Sequence, residues 1–210
     1  NVFMLTSFNP GSGKSFLAMN IAMSFAIKKK RILVIDGDLR HGFTSSYVDS
    51  PKTGLSDYLG NRVSDWKEII VKDEKYDNLH IIPIGTVPPN PTELLEDGKL
   101  ATLIEVLRSE YDYIFIDCPP IDIVADAQII EKLADRTVFV VRSGLLDRSM
   151  LPELENIYQE KRFKNLSVIL NGTESAGGRY GYRYGYRNGY SSYYGNKGKM
   201  GGVNGWSSSD

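Results

Sequence analysis

The sequence is short of the residues that several common readings require. It holds one cysteine, Cys118, among 210 residues, so no disulfide can form within the chain, which suits a reducing cytoplasm. Histidine is almost absent. His41 reads as a loop residue and His80 as a solvent-facing strand residue, and two isolated imidazoles do not make a metal site. No apolar run approaches the roughly 20 residues that a membrane span needs, and no stretch reads as a signal peptide. Net charge is also low, at −1, and the length suits one α/β domain with a real core. The first residue, Asn1, already lies in a strand pattern and there is no initiator Met, so the chain reads as a fragment of a longer protein.

What is present is organised around Ser7-Phe8-Asn9-Pro10-Gly11-Ser12-Gly13-Lys14-Ser15. An apolar run, residues 2–6, precedes it, and a helical pattern to about Lys28 begins at Lys14. Strand, glycine turn, Gly-Lys-Ser and helix together make a phosphate-binding loop. Gly11 and Gly13 allow a tight turn whose N–H groups point inward, and the helix N-terminus adds partial positive charge. Lys14 reaches toward β- and γ-phosphates, and the Ser15 hydroxyl suits Mg²⁺. Pro10, Gly11, Ser12, Gly13, Lys14, Ser15 and Phe16 are therefore the expected nucleotide contacts. The usual first glycine, six places before the lysine, is here Phe8.

Five further apolar runs read as strands: residues 31–36, 79–83, 111–117, 137–141 and 166–171. Helical patterns fall at 55–59, at 65–71 behind a Ser64 cap, from Thr92 to about Ser109, at 126–133 and at 151–161. Strands alternating with helices imply a doubly wound, mostly parallel sheet of the P-loop NTPase type. The basic run Lys28-Lys29-Lys30-Arg31 reads as a complement to the first helix's dipole. Two strands end in acid, at Asp36 and Asp117, and Asp38 follows the first of them. Ligands of open α/β sheets bind at such strand ends. A strand-terminal carboxylate beside a phosphate loop suits Mg²⁺, and Asp117 fits this best. Alternate residues of an extended chain point to opposite sides, so Asp36 and Asp38 divide the work, one serving the metal and one accepting a proton. Arg40 has three readings: phosphate charge, a neighbouring subunit, or a surface salt bridge.

The last part of the chain differs in kind. Seven of the 13 tyrosines, Tyr180, Tyr182, Tyr184, Tyr186, Tyr190, Tyr193 and Tyr194, lie close together. From Arg179 onward there are five basic residues and one acid, a net +4, which leaves −5 on the part before it. A domain over residues 1–172 and a disordered tail over 173–210, with few aliphatic residues, are expected. Alone, such Gly/Tyr/Arg sequence suits RNA binding or self-association as well as a phosphorylation substrate; beside a phosphate-transfer site the substrate reading is favoured.

At these residues the sequence resembles the cytoplasmic kinase domain of bacterial protein-tyrosine kinases, the capsule and exopolysaccharide co-polymerase type. The likeness is carried by Pro10-Gly11 before Gly13-Lys14-Ser15, by residues 33–40 ending in Asp36-Gly37-Asp38-Leu39-Arg40, and by Ile114-Phe115-Ile116-Asp117 with Pro119-Pro120. Residues 54–59, residues 87–95 and the tyrosine cluster add to it. The resemblance implies transfer of the γ-phosphate of Mg-ATP, leaving ADP, to tyrosines of the enzyme's own tail, in control of polysaccharide synthesis and export. It implies Lys14, Asp36 and Asp38 as catalytic residues, with Asp36 the base, and Ser15, Asp38 and Asp117 at the metal. Asn171 matches a position that reads adenine, and equally reads as a turn residue before Gly172. The implied partners are copies of the chain in a ring, a membrane adaptor domain or protein, and a tyrosine phosphatase. No nucleic acid is expected, and the implied location is the cytoplasmic face of the bacterial inner membrane, the fragment itself being soluble. An acidic-and-arginine contact helix of the family is absent from this chain, and Cys118 replaces a commoner Thr as a small buried residue. The rivals are a Par/Min-type ATPase switch, which carries a lysine where this chain has Asn9, and a non-catalytic nucleotide-holding module.

Overall fold

The computed structural model describes residues 1–121 and 125–173. In chain order the elements are β1 (Val2–Thr6), α1 (Lys14–Ile27), β2 (Ile32–Asp36), α2 (Leu55–Leu59), β3 (Val71–Lys72), β4 (Leu79–Ile82), α3 (Pro91–Glu96), α4 (Lys99–Glu110), β5 (Tyr113–Asp117), α5 (Asp126–Glu131), β6 (Arg136–Arg142), α6 (Leu151–Gln159) and β7 (Ser167–Asn171). The sheet runs β3-β4-β2-β5-β1-β6-β7. Every neighbouring pair is parallel except β3 with β4. From β1 the chain moves outward to β2 and β4, returns to insert β5, and then builds β6 and β7 on the other side. The order of strands thus reverses beside β1, and a crevice opens where the loops after the strands diverge.

The apolar runs form strands because both sheet faces are covered. Every residue of β2 is buried. Met4, Leu33, Ile35, Ile114 and Ile116 face one core, with Leu100, Leu103 and Leu107 of α4 and Ile157 of α6. Leu5, Ile32, Val34 and Phe115 face the other, under Ala18, Met19, Ala22 and Ala26 of α1. Small side chains on that helix let its axis lie close to the sheet. Alternation between two buried faces is what a continuous apolar run encodes. Residues Asn1–Thr173 make one compact unit, and no helix among the described residues is long and apolar enough to cross a membrane.

Four local expectations change. The helix expected at 65–71 is a single 3-10 turn, Trp66–Ile69, capped by Asp65 rather than Ser64, with the Asp65 carboxylate accepting from Lys67 N–H at 2.9 Å. Val71 then leaves it to pair antiparallel with β4, so β3 occupies residues read as helix. The single helix expected from Thr92 to Ser109 is broken into α3 and α4 by Gly98, whose φ of +79° ends one helix and turns the chain into the next. His80 is half-buried rather than solvent-facing: Nδ1 lies 2.6 Å from the Tyr111 hydroxyl, and burial lowers its pKa. At the opposite edge from the crevice, Arg108 of α4 clamps Asp135, donating through Nη1 and Nη2 at 2.6 and 3.1 Å and also to the Leu133 carbonyl. The tyrosine cluster and the tail expected to be disordered lie outside the described residues.

Candidate functional site

The glycine loop joins β1 to α1 and is fastened from several sides. Gly11 and Gly13 have φ of +74° and +94°, values that favour glycine. The hydroxyls of Ser7 and Ser12 both donate to the Asn9 carbonyl, each at 2.8 Å. Phe8, standing where the motif has its first glycine, is buried edge-on against Phe139, with ring centroids 4.8 Å apart. It anchors the loop to the core of the sheet, which gives the departure from the motif a structural use.

Two adjacent loop carbonyls are held from the far strands. Arg142 Nη1 donates to Gly11 O at 2.7 Å, and Asn171 Nδ2 donates to Ser12 O at 2.9 Å. Arg142 and Asn171 are register partners at the ends of β6 and β7, so one step of the sheet presents both donors side by side. These two bonds fasten the loop's backbone to the ends of the far strands. Asn171 Oδ1 accepts from Gly172 N–H at 2.9 Å, so the amide is used at both ends within the chain. Phe16, in the first turn of α1, is half exposed.

Lys14 is buried, although the residues before it form a loop. The loop wraps its ammonium, which donates to Ser7 Oγ at 3.2 Å. Burial lowers its pKa, against the opposing pull of Asp117 and Asp38.

The acids come together. Asp36 and Asp117 are register partners at the ends of β2 and β5. Gly37 follows closely, its N–H donating to Asp117 O at 2.8 Å; a Cβ there would stand 2.9 Å from that oxygen. Asp36 Oδ2 accepts from both the N–H and the hydroxyl of Ser45, each at 2.7 Å, and Ser45 Oγ in turn accepts from Ile84 N–H at 2.8 Å. Asp117 Oδ2 accepts from the Thr44 hydroxyl at 2.7 Å. The Oδ1 atoms of Asp36 and Asp117 are buried without a hydrogen-bond partner. Burial, aided by the charges of Asp117 and Asp38, pushes the Asp36 carboxyl up to about 7 against the Ser45 bonds. Burial also raises Asp117, opposed by the hydroxyls of Ser15 and Thr44 and by Lys14. Asp38 has different partners from Asp36: Arg40 N–H donates to it at 3.2 Å, and His41 Nδ1 lies 3.1 Å from it. Buried Cys118 lines the same strand end, and burial raises its thiol pKa.

Of the three readings of Arg40, the salt bridge is the one with contacts. Its Nε lies 3.4 Å from the carboxylate of Asp126, and Nη2 donates to Thr92 Oγ1 at 3.1 Å. Asp126 is fully buried, so the bridge ties the loop after β2 to α3 and α5 rather than decorating the surface.

Sequence reasoning missed Thr44, Ser45 and Arg142. Thr44 and Ser45 are consecutive, and a single 3-10 turn delivers one hydroxyl to each strand-ending acid. Their partners lie 73 and 9 residues away, a separation that leaves no local pattern.

The donor set fits a magnesium nucleotide. A tight glycine loop, one buried ammonium and two carboxylate oxygens without donors suit phosphates and a hard cation. Among the described residues no three His, Cys, Asp or Glu side chains form a metal cage by themselves. Magnesium does not need one, since it is usually held by one or two carboxylates, water and substrate phosphates.

An AAA domain family model matches residues 2–162. The tyrosine-protein kinase CpsD of Streptococcus pneumoniae is 35% identical over 200 residues, covering 94% of this chain and 84% of CpsD. Among solved structures, the kinase domain of Escherichia coli tyrosine kinase ETK superposes with a TM-score of 0.77 at 32% identity, covering 88% of this chain and 72% of that one. The chimerical protein CapA2B2 superposes with a TM-score of 0.74 at 32% identity, covering 81% and 75%.

Proposed function

The chain belongs to the bacterial P-loop tyrosine kinases, and from that premise we propose that it transfers the γ-phosphate of Mg-ATP to tyrosines of its own C-terminal cluster, Tyr180 to Tyr194. The observation that carries the reading is the meeting of a fastened phosphate loop with two registered carboxylates that each keep one free oxygen. When bound, Mg-ATP supplies the phosphoryl group and the metal charge that neutralises it. The loop from Pro10 to Phe16 cradles the phosphates. Lys14 swings from Ser7 to the phosphate oxygens, exchanging a neutral hydroxyl for an anion. Ser15, Asp38 and Asp117 hold the metal. Asp36 is the base: Ser45 occupies Oδ2, and Oδ1 is left to take the phenolic proton. A carboxyl pushed up to about 7 suits that work at neutral pH better than an ordinary one, because the phenol itself has a pKa of about 10. Asn171 holds the loop and is offered as the adenine reader.

In this reading copies of the chain form a ring and phosphorylate each other's tails. A membrane adaptor holds them at the cytoplasmic face of the inner membrane, a tyrosine phosphatase reverses the reaction, and the whole serves capsular or exopolysaccharide synthesis and export. The unmodified tail carries +4 against −5 on the rest of the chain, so charge draws it to a neighbour's acidic site. Each phosphotyrosine adds about −1.5 to −2, so two or three cancel that attraction and further ones release the product tail.

The test is incubation with Mg-ATP followed by intact mass. Phosphate added in whole steps and mapped to Tyr180 to Tyr194 supports the reading. ATP consumed without mass gain identifies a nucleotide switch instead. Mixing Lys14→Met chains with active, tail-deleted ones separates transfer between copies from transfer within one.

A further inference from the structure

The loop between β2 and the 3-10 turn displays an aromatic side chain that no packing requirement explains. Phe43 is 61% exposed, although it sits between residues held firmly in place. On one side Gly42 N–H donates to Asp38 O at 3.1 Å, and a Cβ on Gly42 would meet Ile84 Cδ1 at 2.7 Å. On the other side come Thr44 and Ser45, bonded to Asp117 and Asp36. The loop is thus pinned to all three acids while the Phe43 ring stands in solvent. One ring face is backed by His41, whose imidazole lies nearly parallel at 16° with centroids 5.9 Å apart and itself rests on Asp38. The other face has no aromatic neighbour among the described residues. The adjoining loop after β4, tied to Ser45 through Ile84, carries exposed Val87.

We infer that Phe43, backed by His41, is the platform that receives the acceptor's phenol ring and sets the preference for tyrosine. This rests on the phosphotransfer reading above and names its acceptor subsite. The chemistry matches the candidate substrate. Aromatic rings pair well in offset or edge arrangements, and the tyrosines of the cluster alternate with Arg179, Arg183 and Arg187, whose charge suits the acids to which the loop is pinned. A ring on a pinned loop loses little freedom on binding, which favours it over an aliphatic side chain on a loose one.

The experiment follows phosphorylation of a synthetic peptide spanning residues 179–194 by the full chain at saturating Mg-ATP. Fluorescent-nucleotide affinity is read in parallel. Phe43→Ala is expected to raise the peptide KM about three- to tenfold. Its kcat and nucleotide affinity should each stay within about a factor of two, as expected when only acceptor binding is weakened. Phe43→Trp should restore the KM, and Phe43→Leu should not. An unchanged KM in Phe43→Ala, full rescue by leucine, or an equal fall in nucleotide affinity would overturn the platform while leaving the kinase reading intact. A wild-type chain that hydrolyses ATP but phosphorylates neither peptide nor tail would overturn both.

Discussion

Replacing Gly13 by alanine should cost stability in two separable ways, and a double-mutant cycle with Asn171 can read them apart. Gly13 has φ +94°, where an L residue pays about 1–2 kcal/mol of backbone strain. A Cβ there would also stand 2.3 Å from Asn171 Nδ2. The amide must move, and its 2.9 Å bond to Ser12 O is lost, for about 1 kcal/mol more. Gly13→Ala alone is therefore expected to cost about 2–3 kcal/mol, a fall of about 5–10 °C in Tm for a chain of this size. Asn171→Ala alone should cost about 1–2 kcal/mol, since it removes the Ser12 bond and the one from Gly172 N–H without strain. In the double mutant the Ser12 bond is lost only once and no clash remains, so its cost should fall short of the sum of the two single mutants by that bond. The coupling is about 1 kcal/mol, well outside the scatter of independent sites. Urea melts of the four proteins measure it. Costs that simply add within about 0.3 kcal/mol would refute the idea that Asn171 packs on the loop at Gly13.

Lys14→Met should abolish phosphotyrosine, the loss of an oxyanion-type contact worth about 2.7–4 kcal/mol, while a circular dichroism melt still shows a folded chain; near-normal autophosphorylation would remove Lys14 from the chemistry. Asp117→Asn should be partly rescued by raised Mg²⁺ in a phosphorylation assay and Asp36→Asn should not, and equal rescue of both would sink the division of roles. Stability should also fall with pH. Asp36 is held up to about 7 against 3.8 for a free carboxyl, so between those values the folded chain keeps a proton that the unfolded chain has released. The contribution is complete below about pH 4 and lost as pH rises through 7, at most about 4 kcal/mol, and Asp36→Asn should flatten the fall between urea melts at pH 5 and pH 8.

The parts of the fold that could be read in advance are those with a local signature. β2 and β5 are apolar runs stopped by acid, and their registered ends put Asp36 beside Asp117. The glycine loop is likewise local, because Gly11 and Gly13 each need a positive φ. β3 was not legible, because two residues held only by β4 carry no periodicity of their own. Gly98 sits inside an otherwise helical pattern, and its positive φ breaks the helix there. In the site, the acids and the lysine were legible as types but not as environments. The burial of Lys14 comes from the loop closing over it, and the fastening of Asp36, Asp117 and the loop comes from Ser45, Thr44 and Arg142, all distant in sequence.

The two free carboxylate oxygens bear on how transfer to tyrosine differs from transfer to water. A buried acceptor without a donor costs about 1–3 kcal/mol, so folds rarely keep one without a use for it. Here two are kept, on registered residues at the end of adjacent strands. Lys14 faces both Asp117 and Asp38, so the mouth is short of positive charge, which a hydrated cation supplies most directly. The oxygen of Asp117 suits that cation, and the oxygen of Asp36 suits an O–H donor. A phenol and a water both present an O–H, so the acids alone do not choose between them. The choice has to be made where the two acceptors differ, in the ring that comes with the hydroxyl. The loop pinned to these acids carries an exposed aromatic side chain, Phe43, with His41 beside it. Substrate preference is therefore carried by a side chain outside every motif by which the site was recognised, which is why Phe43→Ala should separate acceptor binding from nucleotide binding.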